Sequence, residues 1–173
     1  NERKMKEMAI DINKIDRDDL VTYLDITPSS SATYALLGIG ITSYGIAYNP
    51  QVETEKWIIH KNATNEVASV QKQGDVSQKM YKGDPCFEFA HGLRGKTGAD
   101  IKTNILDIDM WDEVTEGVYK AELSEGILAV TNKGAEDAVL EYSLYYNGDP
   151  KEGTVSFDED GKPTFTETEG ESL

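Results

Sequence analysis

The chain has 173 residues, 38% hydrophobic and 28% charged, and 32 acidic against 17 basic side chains give a net charge of −15. That length suffices for one domain with its own core, whereas so acidic a surface repels phosphates and excludes ordinary nucleic-acid binding. No apolar run reaches the length of a membrane span, and the single cysteine, Cys86, excludes an intrachain disulfide and fits a reducing compartment.

Residues 1–15 read as an N-terminal arm. Its start, NERKMKE, is charged and lacks a signal-type apolar core; Met5 and Met8 are both plausible starts. Asp16 to Leu24 predicts a short helix, with Asp16 as cap, Asp19 near the first-turn amides and Leu20 with Leu24 as an i, i+4 pair. Pro28 to Ser31 is a loop. Thr33 to Ile39 (TYALLGI) is short enough for a buried strand. Gly38 and Gly40 mark its end rather than a phosphate loop, since a full glycine fingerprint and a following helix are missing.

Residues 43–82 read as one long antiparallel excursion. Tyr44, Ile46 and Tyr48 alternate with Gly45, Ala47 and Asn49. Asn49-Pro50 breaks the ladder, because proline has no N–H. Extended chain resumes from Val52 to His60 around Trp57, Ile58 and Ile59. Residues 61–65 form a polar turn, and a third extended segment runs from Glu66 to Tyr81 with Gly74-Asp75 in its middle. Too few of these side chains are apolar to bury either face, so the segment needs a partner, and a second copy of the chain is one candidate.

A helix is predicted over 84–95. Asp84 suits the N-cap, Pro85 the first turn and Gly95 the C-terminal stop. Cys86, Phe89, Ala90 and Leu93 share one apolar face, which makes Cys86 a core hydrophobe and leaves His91 on the other side. Thr103 to Trp111 alternates, with Leu106, Ile108 and Met110 against Asp107 and Asp109, a half-buried strand with an acidic outer face. Val118–Leu123 and Ile127–Thr131 read as two strands joined around Ser124-Glu125-Gly126, with a turn at Asn132-Lys133-Gly134. Val139 to Tyr146 is the clearest amphipathic strand, ended by Gly148-Asp149-Pro150. Gly153–Phe157 and Pro163–Thr168 form a terminal hairpin turned by Asp160-Gly161, before an acidic C-terminal tail at 169–173. About nine strands and one helix predict a mainly β fold, an antiparallel β-sandwich or barrel with one packed α-helix over 16–168.

The parts of an enzyme are missing from this pattern. Only two histidines occur, His60 and His91, with no serine nucleophile elbow, metal-spaced His/Cys set or phosphate loop. The expectation is no catalysis, no cofactor and no metal; the sequon Asn62-Ala63-Thr64 is chance.

Three stretches carry a resemblance. They are YNPQVETEKWI (48–58), SVQKQGDVSQKMYKGDPCFEFAHGLR (69–94) and Tyr145-Tyr146-Asn147-Gly148-Asp149-Pro150. In order and spacing they resemble the major tail tube protein of long-tailed bacteriophages, from about Met8 to Phe157. The chain departs from that pattern in its extension before Met8 and in Trp57, where tyrosine is more common.

The resemblance implies a structural virion protein that forms stacked hexameric rings, a conduit for DNA ejection, assembled in the bacterial host cytoplasm and located in the tail. Implied partners are further copies of itself, a tape-measure protein during assembly, the tail terminator and distal tail proteins, and genomic DNA passing without specific binding; no membrane is involved. Acidic residues on strand faces, Asp107, Asp109, Glu122 and Glu141, are the candidate lumen-facing groups. Tyr48, Asn49, Pro50, Gln51, Trp57, Ile59, Gln73 and Asp75 are candidate contacts between subunits or rings. Two alternatives stay open: a type VI secretion-type tube or tail terminator protein of the same fold, or a monomeric β-sandwich ligand-binding module, which would need a face of exposed aromatics.

Overall fold

Between Leu20 and Asp25 the side chains alternate, Val21 and Tyr23 to one side, Thr22 and Leu24 to the other, and the segment folds as strand β1. The helix predicted for Asp16–Leu24 is reduced to one 3-10 turn, Arg17–Asp19. β-branched and aromatic residues lose side-chain freedom in a helix and pack well on a pleated surface. Pairing with a long neighbouring strand then outweighs a single i, i+4 leucine contact.

The computed structural model describes residues 12–134 and 136–169; the predicted arm up to residue 11 and the tail from 170 lie outside them. The described chain is mainly antiparallel β-structure with one α-helix. Strands β2 (Tyr34–Leu36), β3 (Ile46–Ala47), β4 (Pro50–Glu55), β5 (Thr64–Val70) and β6 (Gln73–Lys79) follow β1. Helix α1 (Pro85–Gly92) comes next, then the long strands β7 (Lys102–Thr115), β8 (Val118–Gly134) and β9 (Val139–Phe157), and finally β10 (Pro163–Glu167). The main sheet runs β2-β1-β7-β8-β9-β6-β3, with β10 also paired to β9, while β4 and β5 form a separate two-stranded sheet. β6 lies along the first half of β9 and β10 along the second.

Two expected breaks are bridged and one is shifted. Ser124-Glu125-Gly126 lies inside β8 and Gly148-Asp149-Pro150 inside β9, while Asn132-Lys133-Gly134 forms the end of β8 and the turn to β9 falls just after it. The register shifts between Leu123 and Glu125, so the Gly-Asp-Pro segment is absorbed as an irregularity instead of ending the strand. β2 keeps only three residues of the predicted Thr33–Ile39 strand.

The sheet serves two cores, one on each face. On the first, Leu24, Ile105, Leu128, Leu140, Tyr142 and Leu144 pack with Cys86 and Ala90 of α1 and with Leu93 just past its end. On the second, Leu106, Ile108, Ala121 and Val155 are enclosed by Tyr23, Tyr34, Tyr119, Phe157 and Phe165. β1 and β9 are separated by β7 and β8, about 14 Å in a flat sheet. The Tyr23 and Phe157 rings nevertheless lie 6.4 Å apart, so the sheet curls around this second core. β7 is therefore buried on both faces, which an alternating acidic pattern does not predict.

Burial pushes the Cys86 thiol up to about 12, with the Asp84 carboxylate adding to the effect, so the thiol stays protonated and packs as an apolar group. Buried polar atoms at the helix start are paired. Gln78 donates to Ile39 O and Asp84 Oδ2, both at 2.8 Å, and accepts from the Tyr142 hydroxyl at 2.7 Å.

Candidate functional site

The hairpin β4–β5 stands off the body. Its residues are all exposed, including Val52, Val67 and Val70. It starts at Asn49, held at φ 44°, a left-handed conformation that asparagine tolerates better than most residues. Asn49 Nδ2 donates to Gln71 O at 3.1 Å, and Gln71 N to Tyr48 O at 3.0 Å, which closes the root. At the far end Trp57 and His60 stack with centroids 5.7 Å apart, and Ile58 and Ile59 lie open beside them. An isolated two-stranded hairpin is marginally stable in water, and an apolar patch at its tip marks a contact surface.

A polar latch holds the root against the sheet. Lys72 joins β5 to β6, and its side chain is only 12% exposed. Its ammonium lies 3.2 Å from Glu122 Oε2, 5.4 Å from the Tyr48 ring centre and 4.9 Å from that of Tyr146. The Tyr146 hydroxyl bonds the Tyr44 hydroxyl at 2.9 Å. The hydroxyl end of Tyr44 lies against Gly74, where a Cβ would collide with it. Arg17 donates to Tyr44 O at 2.9 Å and to Leu20 O at 2.6 Å. Outgoing and returning chains are thus both pinned to one spot on β7–β9.

Asp107 sits at the bottom of this spot. Its Oδ1 accepts from Thr22 Oγ1 at 2.7 Å, while Oδ2 is buried without a hydrogen-bond partner. Burial holds its carboxyl above the usual range; the Thr22 and Tyr146 hydroxyls and Lys72 pull it down, and Glu122 pushes it up again. Burial, chiefly, and Glu122 raise Asp109 too. Burial likewise raises Tyr44 and Tyr146, which remain neutral phenols.

The four acidic candidates do not share a face. Asp107 pairs with Glu122 across β7 and β8, and Glu122 with Glu152 across β8 and β9. These three carboxylates form one row perpendicular to the strands, with Asp109 in the next row on the same side. Glu141 lies on the opposite face, next to core residues Leu140 and Tyr142, which point the other way. Among the contact candidates, Tyr48 to Gln51, Trp57 and Ile59 belong to the hairpin and its root. Gln73 and Asp75 belong to β6 in the main sheet, and Asp75 is occupied by Ser143 at 2.7 Å and Gln73 at 3.0 Å. Those two hydrogen bonds hold its carboxyl below the usual range. Lys72, Tyr44 and Glu152 escape sequence reasoning because only tertiary pairing brings them together.

His91 packs on Phe87 and contacts Arg94, as expected for the outer side of α1. Among the described residues no helix is long and apolar enough to cross a membrane.

No protein-family profile matches the chain, and no curated protein sequence does. Among solved structures the chain is similar to one in the cryo-EM structure of the anti-feeding prophage (AFP) baseplate, six-fold symmetrised. The identity is 9%, the TM-score 0.45, and the match covers 83% of this chain and 97% of that one.

Proposed function

We propose that the protein is a structural subunit of a phage-type tail that assembles with copies of itself into stacked rings, six to a ring, forming the tail tube. One observation carries the reading. A wholly exposed hairpin with an apolar tip is anchored at its root by partly buried polar contacts, which suits an element that must point in a fixed direction toward a neighbouring chain. The motif order at 48–58, 69–94 and 145–150 supports the tail tube among ring-forming proteins.

In this reading the protein has no catalytic role. Exposed Glu152 and half-open Glu122 and Asp109 border the wall that passing DNA meets without sticking, while Asp107, in the same row as Glu122 and Glu152, is covered by the hairpin root and does not face it. A tape-measure protein fills the channel beforehand, and terminator and distal tail proteins cap the stack in the virion.

Negative-stain electron microscopy of the purified protein, with its mass in solution, tests the proposal. Rings or stacked tubes with a central hole are expected, alone or once the tape-measure protein is added. A monomer under both conditions overturns it.

A further inference from the structure

The hairpin needs a receiving surface, and one groove on the body matches it in both hydrophobicity and charge. It lies along the β1–β2 edge, about 510 Å3 in volume and mostly apolar, with Leu20, Leu36, Leu37 and Ile41 in its lining. Leu20 and Leu36 are 44% and 45% exposed, unusual for leucines beside a core. β2 offers only three residues of edge, so the groove has an apolar floor and little backbone to cover it.

Its rim is acidic. Asp18 lines it, and the carboxylates of Asp16, Asp18 and Asp19 converge to within 4.8 Å of one another. Lys14 offsets Asp16 at 3.5 Å, and Arg17, which also lines the groove and donates to two backbone carbonyls, keeps its charge, so three carboxylates face two cations and the rim is acidic by one charge. The hairpin tip has the opposite character. Residues 56–61 read Lys-Trp-Ile-Ile-His-Lys, a run with two lysines and no acid in a chain of net charge −15. Three consecutive large apolar side chains flanked by cations fit an apolar groove edged with carboxylates, since opposite charges at the rim fix register while the apolar centre supplies area.

We infer that the β1–β2 groove receives the Trp57-Ile58-Ile59 tip of a second copy of this chain, with Lys56 and Lys61 facing the Asp16–Asp19 rim. The contact is head-to-tail, since each copy has one tip and one groove on different surfaces; such contacts close into rings or stack without limit. The inference rests on the assembly proposed above and adds the surface that receives the hairpin.

The test uses two single-cysteine additions, Ile58→Cys and Leu36→Cys, in the full chain, where native Cys86 is buried. The two proteins are mixed, allowed to assemble and oxidised mildly. The expected product is a covalent dimer linking position 58 of one copy to position 36 of the other, identified by peptide mass, and scarce in either variant alone. Charge reversal gives an independent arm. Lys56→Glu/Lys61→Glu and Asp16→Lys/Asp18→Lys each lower assembly at least tenfold, and mixing the two restores it by alternating tips and grooves. Assemblies that form without the 58–36 link, or that survive both reversals, overturn this groove while leaving the assembly proposal intact. Wild-type protein that stays monomeric both alone and with the tape-measure protein overturns both.

Discussion

The Lys72 ammonium reaches Glu122 Oε2 at 3.2 Å while lying over the rings of Tyr48 and Tyr146. One side chain thus ties the returning strand of the hairpin, its outgoing strand and the central sheet together. Cation–π contacts and a partly desolvated ion pair each contribute more here than at an open surface. Lys72→Met keeps the aliphatic stem and removes the charge. The expected cost is about 1–2 kcal/mol, above that of an exposed pair because the lysine is covered, below that of a fully buried pair because Glu122 is half open. Hydrogen exchange of amides at the hairpin root should accelerate while β7 and β8 keep their protection. Unchanged exchange at the root would refute the latch.

Asp107 makes stability depend on pH in an unusual direction. Its carboxyl lies above the ordinary 3.8 in the folded chain, chiefly through burial. The folded state therefore binds the proton more tightly than the unfolded one. Its favourable contribution is complete below that ordinary value and is lost as pH rises through the raised folded value. Asp107→Asn removes the buried charge and keeps an oxygen for the Thr22 hydroxyl. Thermal unfolding should show the variant more stable than wild type at pH 7, by on the order of 1 kcal/mol or about 2–4 °C in Tm. The difference should shrink toward zero below pH 4. A variant that is less stable at pH 7 would show that Lys72 already compensates the charge.

Gly74 exists in its present form because of Tyr44. A Cβ at position 74 would overlap the Tyr44 hydroxyl and ring, so Gly74→Ala must displace that ring and break its 2.9 Å bond to Tyr146. Overpacking of this kind costs about 1–3 kcal/mol. In a Tyr44→Ala background the same glycine change should be nearly neutral, and a double-mutant cycle from urea unfolding measures the coupling. Additive losses would place the strain elsewhere.

The parts of this fold legible from sequence are those whose signal is local. Pro85, with the spacing of Cys86, Ala90 and Leu93, defines α1, although the Asp84 side chain makes no capping bond and accepts from Gln78 instead, and the helix ends at Gly92 short of the expected Gly95. Leu106, Ile108 and Met110 define a strand, and Asp160-Gly161 its last turn. The errors arise where a partner strand decides. Leu20 to Leu24 carries a passable helix signal, yet β7 pairs with it residue for residue. Gly126 and Gly148 look like punctuation, yet long strands carry through both: Gly126 is paired on both sides, with Thr103 and Tyr146, and Gly148 sits in a register shift that the flanking pairs Glu125–Asn147 and Leu123–Lys151 span. The site divides in the same way. The exposed apolar tip is visible as Trp57-Ile58-Ile59 in a polar stretch. The latch is not, because Lys72, Tyr146 and Glu122 are far apart in sequence and meet only when β6, β8 and β9 align.

The tip and the body should respond oppositely to the same kind of change. Trp57, Ile58 and Ile59 contribute little to the isolated fold, since all three are largely exposed and the hairpin shares no sheet with the core. Trp57→Ser combined with Ile58→Ser should therefore leave the Tm of the unassembled protein within about 1–2 °C, as surface changes away from special features usually do. If the hairpin binds a neighbour, the same pair of changes removes a buried aromatic anchor, worth about 2 kcal/mol or more in an interface. A ring repeats that contact at every subunit boundary, so the loss multiplies around it. Sedimentation velocity should show the double variant as monomer at concentrations where wild type forms large species. Leu128→Ala provides the control in the other direction: its side chain is fully buried beside α1, and truncation should cost about 2–5 kcal/mol of monomer stability. Wild-type-like assembly of the tip variant would remove the hairpin from the interface, since no change in the body compensates for the apolar area it gives up.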